Sequence, residues 1–352
     1  MPAVDLGIPA VRETTDTTAR PDTAQLVDRF GRVATDLRVS LIDKCNLRCT
    51  YCMPEEGVPW MPRSEMLGTD ELVRLIGLAV RDLGITTVRF TGGEPLLRPD
   101  LAEVVAATAQ LPGRPRTSLT TNGINLGRRA AALAEAGLDR VNISLDTARP
   151  DTFREITRRD RFDDVLAGLE AARSAGLEPV KVNAVLLRGV NDDQAGELLQ
   201  FCLDRGYELR FIEQMPLDAQ HSWDRAQMIT AEEILDRLGE RFTLTPHPAE
   251  RGSAPAERWL VDGGPATVGV IASVTRAFCA TCDRTRLTAD GQLRSCLFSQ
   301  TETDLRGPLR AGAGDAELAE LWRATMWAKK AGHGVDSEGF AQPARPMSSI
   351  GG

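Results

Sequence analysis

No stretch of the 352 residues approaches the roughly 20 consecutive apolar residues that a membrane-spanning helix needs. The first residues, MPAVDLGIPAVRETTDTTARPD, also lack a charged segment followed by an apolar one, so no secretory leader is expected and a cytoplasmic location is. Positive charge is not in excess either. The net charge of −8 argues against a general nucleic-acid or membrane-surface partner, so any anionic ligand must be held by a local cationic pocket. Seven cysteines are too few for a disulfide scaffold in a chain of this length. Internal repeats of the solenoid kind are missing as well.

What is present is an alternation. Residues 1 to about 27, rich in Thr, Asp, Pro and Ala without periodicity, predict a disordered extension. From residue 28 to 228, β-like runs at 38–43, 86–91, 116–121, 139–146, 179–187 and 207–215 are separated by helical runs at 69–83, 100–110, 127–136, 161–175 and 192–205. Such alternation predicts an α/β fold with a parallel sheet and right-handed crossovers, and six units suit a partial (β/α)6 TIM-like barrel. Residues 229–352 read differently. A helix over 230–239, capped by Thr230 and Glu233, precedes strand-like runs at 241–246, 257–262 and 267–272, which predicts a C-terminal α+β extension.

Side chains two apart on a strand share a face. Arg89 and Thr91 do so, as do Ser118 and Thr120, then Asn142, Ser144 and Asp146, then Lys181 and Asn183. The other parity is apolar: Val88 and Phe90, Val141, Ile143 and Leu145, Val180, Val182 and Ala184. Helices would cover that face, leaving a hollow, hydrated lumen for a large polar ligand. An antiparallel sheet with one wet face is the alternative, and the helical intervals disfavour it.

Six of the seven cysteines fall into two groups of three, which suggests two metal sites in a reducing compartment. Cys202, in an apolar helical stretch, reads as a core residue. The first group is Cys45-x3-Cys49-x2-Cys52, directly after the first strand. Three thiolates on one loop can hold a [4Fe–4S] cluster with one iron left open. A zinc site with a distant fourth ligand is the alternative, and the spacing is unusual for one.

CNLRCTYC, with Tyr51 beside the last cysteine, resembles the CxxxCxxC signature of the radical S-adenosylmethionine (SAM) superfamily. TGGEP at 91–95 matches the turn that in that family binds the methionine amino group of SAM. The resemblance implies that the open iron chelates SAM and that one-electron reduction generates a 5′-deoxyadenosyl radical. It also implies SAM contacts at Tyr51, Gly93, Ser144 and Met215.

The second group, Cys279-x2-Cys282-x13-Cys296, spans a small turn. A structural zinc site is a stronger alternative here, although His221, His247 and His333 all lie away from this loop in sequence. A second cluster whose open iron faces substrate is the preferred reading. Arg284 and Arg286, one residue apart beside it, could face one anionic group, and arginine forks match phosphate oxygens. Arg38, Arg89 and Lys181 on strands complete a candidate triphosphate pocket, Arg89 and Lys181 each interrupting an apolar run.

From about residue 30 to 352 the pattern resembles the GTP 3′,8-cyclase family of molybdenum cofactor biosynthesis. VRFTGGEPLLR, LTTNG, NISLD, VKVNAV, RFIEQM and FCATCDRTRLTADGQLRSCL carry the likeness, together with the terminal Gly351-Gly352. It implies a lyase with two [4Fe–4S] clusters, GTP contacts at Arg38, Arg89, Thr120, Lys181, Arg284, Thr285 and Arg286, and a flexible Gly-Gly tail entering the active site. Implied partners are an electron donor and a downstream cyclic pyranopterin monophosphate synthase, the chain being monomer or homodimer. Other readings are a peptide-maturing radical SAM enzyme with an auxiliary cluster, and a non-catalytic protein with two zinc sites.

Overall fold

The computed structural model of the chain describes residues 19–351. Its first elements form a short ribbon, β1 (Leu26–Val27) antiparallel to β2 (Val33–Ala34). Leu26 is fully buried, so the disordered extension expected through residue 27 stops short of it. One apolar anchor in a polar stretch makes no periodic signal, which is why composition missed it. The rest of that expectation, residues 1–18, lies outside the described residues.

The expected alternation follows. It runs β3 (Asp36–Ser40), α1 (Thr69–Asp82), β4 (Thr87–Thr91), α2 (Leu101–Ala109), β5 (Arg116–Thr121), α3 (Leu126–Glu135) and β6 (Arg140–Ser144). Next come α4 (Pro150–Thr157), α5 (Phe162–Ser174), β7 (Lys181–Val185), α6 (Ala195–Arg205) and β8 (Glu208–Ile212). All six strands are parallel and neighbour one another in chain order, as crossover helices require. α4 is the helix the pattern did not separate, because eight residues opened by Pro150 are too short for a clear period.

The parity argument holds. Leu37, Val39, Val88, Phe90, Leu119, Val141, Ile143, Val182, Leu209 and Phe211 are buried under the helices. Each such side chain contributes about 1.5–3 kcal/mol relative to remaining exposed. The polar parity is left to line a central space.

The chain continues as α7 (Ala231–Gly239), β9 (Leu244–Pro246), β10 (Glu257–Val261), β11 (Thr267–Ile271), β12 (Arg284–Leu287), β13 (Gln292–Arg294) and β14 (Thr303–Asp304). It ends with α8 (Arg306–Arg310), α9 (Asp315–Trp327) and α10 (Met347–Ile350). α7 carries the expected capping box: Glu233 N–H donates to Thr230 Oγ1 at 3.2 Å, and Thr230 N–H to the Glu233 carboxylate at 2.9 Å.

The boundary at residue 228 does not separate two sheets. β11 adds parallel to β8 at one side and β12 adds parallel to β3 at the other. One 12-stranded sheet results, with the order β14-β13-β12-β3-β4-β5-β6-β7-β8-β11-β10-β9. Residues far beyond the six βα units therefore form both walls of the same lumen. Among the described residues no helix is long and apolar enough to cross a membrane.

Candidate active site

The first cysteine loop leaves the C-terminal end of β3, the end at which barrel sites assemble. Leu47 N–H points at Cys45 Sγ at 3.5 Å, and the Asn122 amide lies 3.9 Å from the same sulfur. Arg48 donates to the carbonyls of Cys45 and Leu47, both at 2.8 Å, which stiffens the loop. TGGEP packs on the start of this loop: Gly93 N–H donates to Ile42 O at 2.6 Å and Glu94 N–H to Lys44 O at 2.7 Å. A Cβ at Gly93 would overlap the carbonyls of Asp43 and Lys44, so glycine is needed for the approach.

Burial is the main cause that raises the Cys45 thiol to about 11 and the Cys52 thiol to about 12. Cys49 is raised too, by burial and then by Asp146 and the other two cysteines. Three thiols gathered on one loop match the three-thiolate ligand set of a [4Fe–4S] cluster. Yet among the described residues no three Cys, His, Asp or Glu side chains close on a single metal ion.

Tyr51 donates its hydroxyl to Asp146 Oδ2 at 2.9 Å, and Asp146 Oδ1 accepts from Val185 N–H at 2.9 Å. Burial, then Asp146, raises Tyr51 well above its ordinary value, so it stays a donor. Burial also lifts Asp146 to about 6. Tyr51, Cys52, Ser144 and Met215 all line one cavity, and Arg38, Arg89, Thr120, Arg284 and Arg286 line it too.

Its far wall is cationic. Arg286 of β12 stands opposite Arg38 of β3, and Arg38 opposite Arg89 of β4. Adjacent strands are about 4.8 Å apart, and like charges directly opposite are destabilising. Burial first, then Arg89, lowers Arg38 to about 9; burial and Arg38 lower Arg286 to about 9. Arg89 and Arg210 fall to about 10, again mainly through burial. All four keep their charge at neutral pH. Among the described residues seven buried arginine Nε atoms lack a partner, and five of these, on Arg38, Arg89, Arg210, Arg284 and Arg286, line this cavity.

Arg210 was missed from the sequence, although it interrupts the apolar Leu209 and Phe211 as Arg89 interrupts Val88 and Phe90. It donates to Asn142 Oδ1 at 2.6 Å. Two of the expected GTP contacts, Thr285 and Lys181, are not among the residues lining this cavity. Thr285 has the opposite parity to Arg284 and Arg286; it is fully buried and accepts from Trp322 Nε1 at 3.1 Å, so its hydroxyl does not reach the cavity. Lys181 keeps the lumen parity but sits at the beginning of β7, paired with Glu208.

Cys279 and Cys282 lie on a tight turn before β12, and Cys296 follows β13. His333, distant in sequence, is brought beside them, so its separation in sequence was a poor guide. Its backbone N–H, however, is what faces Cys279, while Nδ1 accepts from Val335 N–H at 3.0 Å and Nε2 has no partner. The imidazole is not a fourth ligand in this arrangement. Gly351 is seated, not loose: it is buried with φ +84°, and a Cβ there would overlap Thr91 Oγ1 and crowd Ser40. The fully buried Ile350 and the bidentate Arg345–Asp290 pair hold this segment. Gly352 lies outside the described residues.

Residues 39–202 match the model of the Radical SAM superfamily, and residues 207–335 that of Molybdenum Cofactor Synthesis C. A GTP 3′,8-cyclase of Streptomyces coelicolor is 66% identical over 93% of this chain and 96% of its own length. A GTP 3′,8-cyclase of Mycobacterium marinum is 61% identical over 100% of both chains. The chain belongs to the GTP 3′,8-cyclase family.

Among solved structures, Streptococcus suis SuiB bound to S-adenosylmethionine aligns with a TM-score of 0.57 at 15% identity. That alignment covers 78% of this chain and 64% of SuiB, and it supports the fold. GTP 3′,8-cyclases are radical SAM lyases that use SAM and two [4Fe–4S] clusters and serve molybdenum cofactor biosynthesis. The residues present fit both groups: two separate cysteine triads, and between them a cavity with room for polar ligands.

Proposed function

We propose that this lumen holds GTP between the two cysteine loops while the chain converts it to (8S)-3′,8-cyclo-7,8-dihydroguanosine 5′-triphosphate. The row Arg286, Arg38 and Arg89 carries this reading, with Arg210 and Arg284 beside it. Five buried guanidinium groups with free Nε atoms are unfavourable alone and favourable around a polyanion. They orient the triphosphate, and Thr120 and Ser144 offer hydroxyls on the lumen face. Lys181 joins the phosphate site if it exchanges Glu208 for the ligand, a change local to two side chains. Thr285 contributes through Trp322 packing behind the arginines and not through its hydroxyl.

Cys45, Cys49 and Cys52 hold one cluster, with Tyr51, Gly93, Ser144 and Met215 around SAM; Cys279, Cys282 and Cys296 hold the other, toward guanine. When bound, the first cluster and SAM supply the 5′-deoxyadenosyl radical that takes hydrogen from C3′ of GTP before C3′ bonds to C8. The chain's own work is to align C3′ and to keep water and other hydrogen donors out. Gly351, pressed against the ends of β3 and β4, closes that side of the site. A cytoplasmic location, a low-potential electron donor and a following cyclic pyranopterin monophosphate synthase complete the proposal.

Anaerobic incubation with GTP, SAM and reductant tests it. The expected products are 5′-deoxyadenosine and a cyclised GTP; absence of both would overturn the reading.

A further inference from the structure

Lysine is rarely buried, because its ammonium loses hydration unless a partner replaces it. Lys329, just after α9, is only 3% exposed. Its Nζ donates to Cys282 O at 3.2 Å, to Cys282 Sγ at 3.3 Å and to Arg284 O at 3.0 Å. All three directions are spent on the second cysteine loop, and none on a carboxylate. Arg284 and Arg286 already crowd this region with positive charge, so the Cys282 sulfur is the anion that Lys329 can meet.

The lysine is held in place from outside. Arg32 pairs with the buried Asp28 and donates to Cys279 O at 2.7 Å, Ala331 O at 2.8 Å and Lys330 O at 2.6 Å. The β1–β2 ribbon thereby clamps the 329–331 segment to the cysteine turn.

We propose that Lys329 is a redox-positioning residue that, through its hydrogen bond to the Cys282 thiolate, raises the reduction potential of the second cluster. This rests on the assignment of Cys279, Cys282 and Cys296 to a [4Fe–4S] cluster. The step concerned is a one-electron reduction of the cluster by an external low-potential donor, which adds one negative charge. A fixed ammonium on a ligand sulfur stabilises the more negative, reduced form, and hydrogen bonds to cluster sulfurs are a known lever on potential.

The test is a redox titration followed by electron paramagnetic resonance on the reconstituted full chain. It is repeated with Cys45→Ala, Cys49→Ala and Cys52→Ala combined, where only the second cluster gives a signal. Lys329→Gln keeps a donor and removes the charge; Lys329→Arg keeps both. The Gln variant is expected to bind a full second cluster whose potential moves negative, with Arg returning it toward the parent value and the first cluster unmoved. Full iron content with an unmoved potential in Lys329→Gln overturns the proposal alone. Loss of iron from the Gln and Arg variants alike makes Lys329 a structural strut and overturns it too. No iron in the triple-alanine parent, in place of about four per chain, removes the cluster assignment itself and the proposal with it.

Discussion

Around Cys45, Cys49 and Cys52 the raising charges are carboxylates and the other two thiols, with Arg48 the nearest opposing cation. Around Cys282 burial raises the thiol, but the cations Arg284, Lys329 and Arg286, with the Arg284 backbone N–H, outweigh it and bring that thiol down to about 7, while Cys279 stays raised to about 11. The two loops offer the same three-sulfur chemistry, but only Cys282 of the second has cations close enough to outweigh its burial. A site that must give up an electron to SAM gains from negative neighbours. A site beside a triphosphate shares its cations with the substrate. Ligand identity alone thus does not define a cluster's role; the charges one layer out do.

Removing one sulfur from each loop breaks the comparison most severely. Cys49→Ala should abolish 5′-deoxyadenosine formation altogether. Cys282→Ala should leave SAM cleavage measurable but abolish the cyclised GTP, as read by chromatography of the two products from one anaerobic reaction. Equal loss of both products in both variants would show that the loops do not divide the work.

Arg286→Met removes a cation from the row without touching the first loop. A charge-assisted hydrogen bond is worth about 2 kcal/mol, so GTP affinity should fall roughly thirty-fold by anaerobic calorimetry, with SAM affinity unchanged. A parallel fall in SAM affinity would mean that the arginine row supports the lumen generally.

The smallest effect concerns the segment joining the two regions. Arg345 grips Asp290 on the second loop's hairpin, and six residues later Gly351 rests on the strand ends beside the first. The pair is partly exposed, so Asp290→Asn should cost about 1 kcal/mol, a roughly five-fold loss of turnover at unchanged iron content. The exchange Asp290→Arg with Arg345→Asp should recover part of it. No recovery would assign the loss to the hairpin and not to the tail.

Several residues of the cavity and of the cysteine loops were legible because their signals are local. Cysteine spacing, the glycines of TGGEP and the parity of Arg89, Ser144 and Asn183 each concern a few neighbouring residues. Arg210 carried the same parity signal and was overlooked. Others had no such signal. Thr285, a GTP contact implied only by the resemblance, meets the distant Trp322 instead. Lys329 sits at the end of a helix whose sequence says nothing of Cys282, and Arg345 meets Asp290 across 55 positions.

By itself the sequence determined the reaction type, the two cysteine triads and the polar face of each strand. These depend on side-chain chemistry and on periods of two or a few residues. Only the tertiary structure decided that β11 and β12 extend both sides of one sheet, that three arginines stand in register, and that a lysine reaches the Cys282 sulfur. Those contacts join segments far apart in the chain, and their energies come from burial and charge that exist only once the segments have packed together.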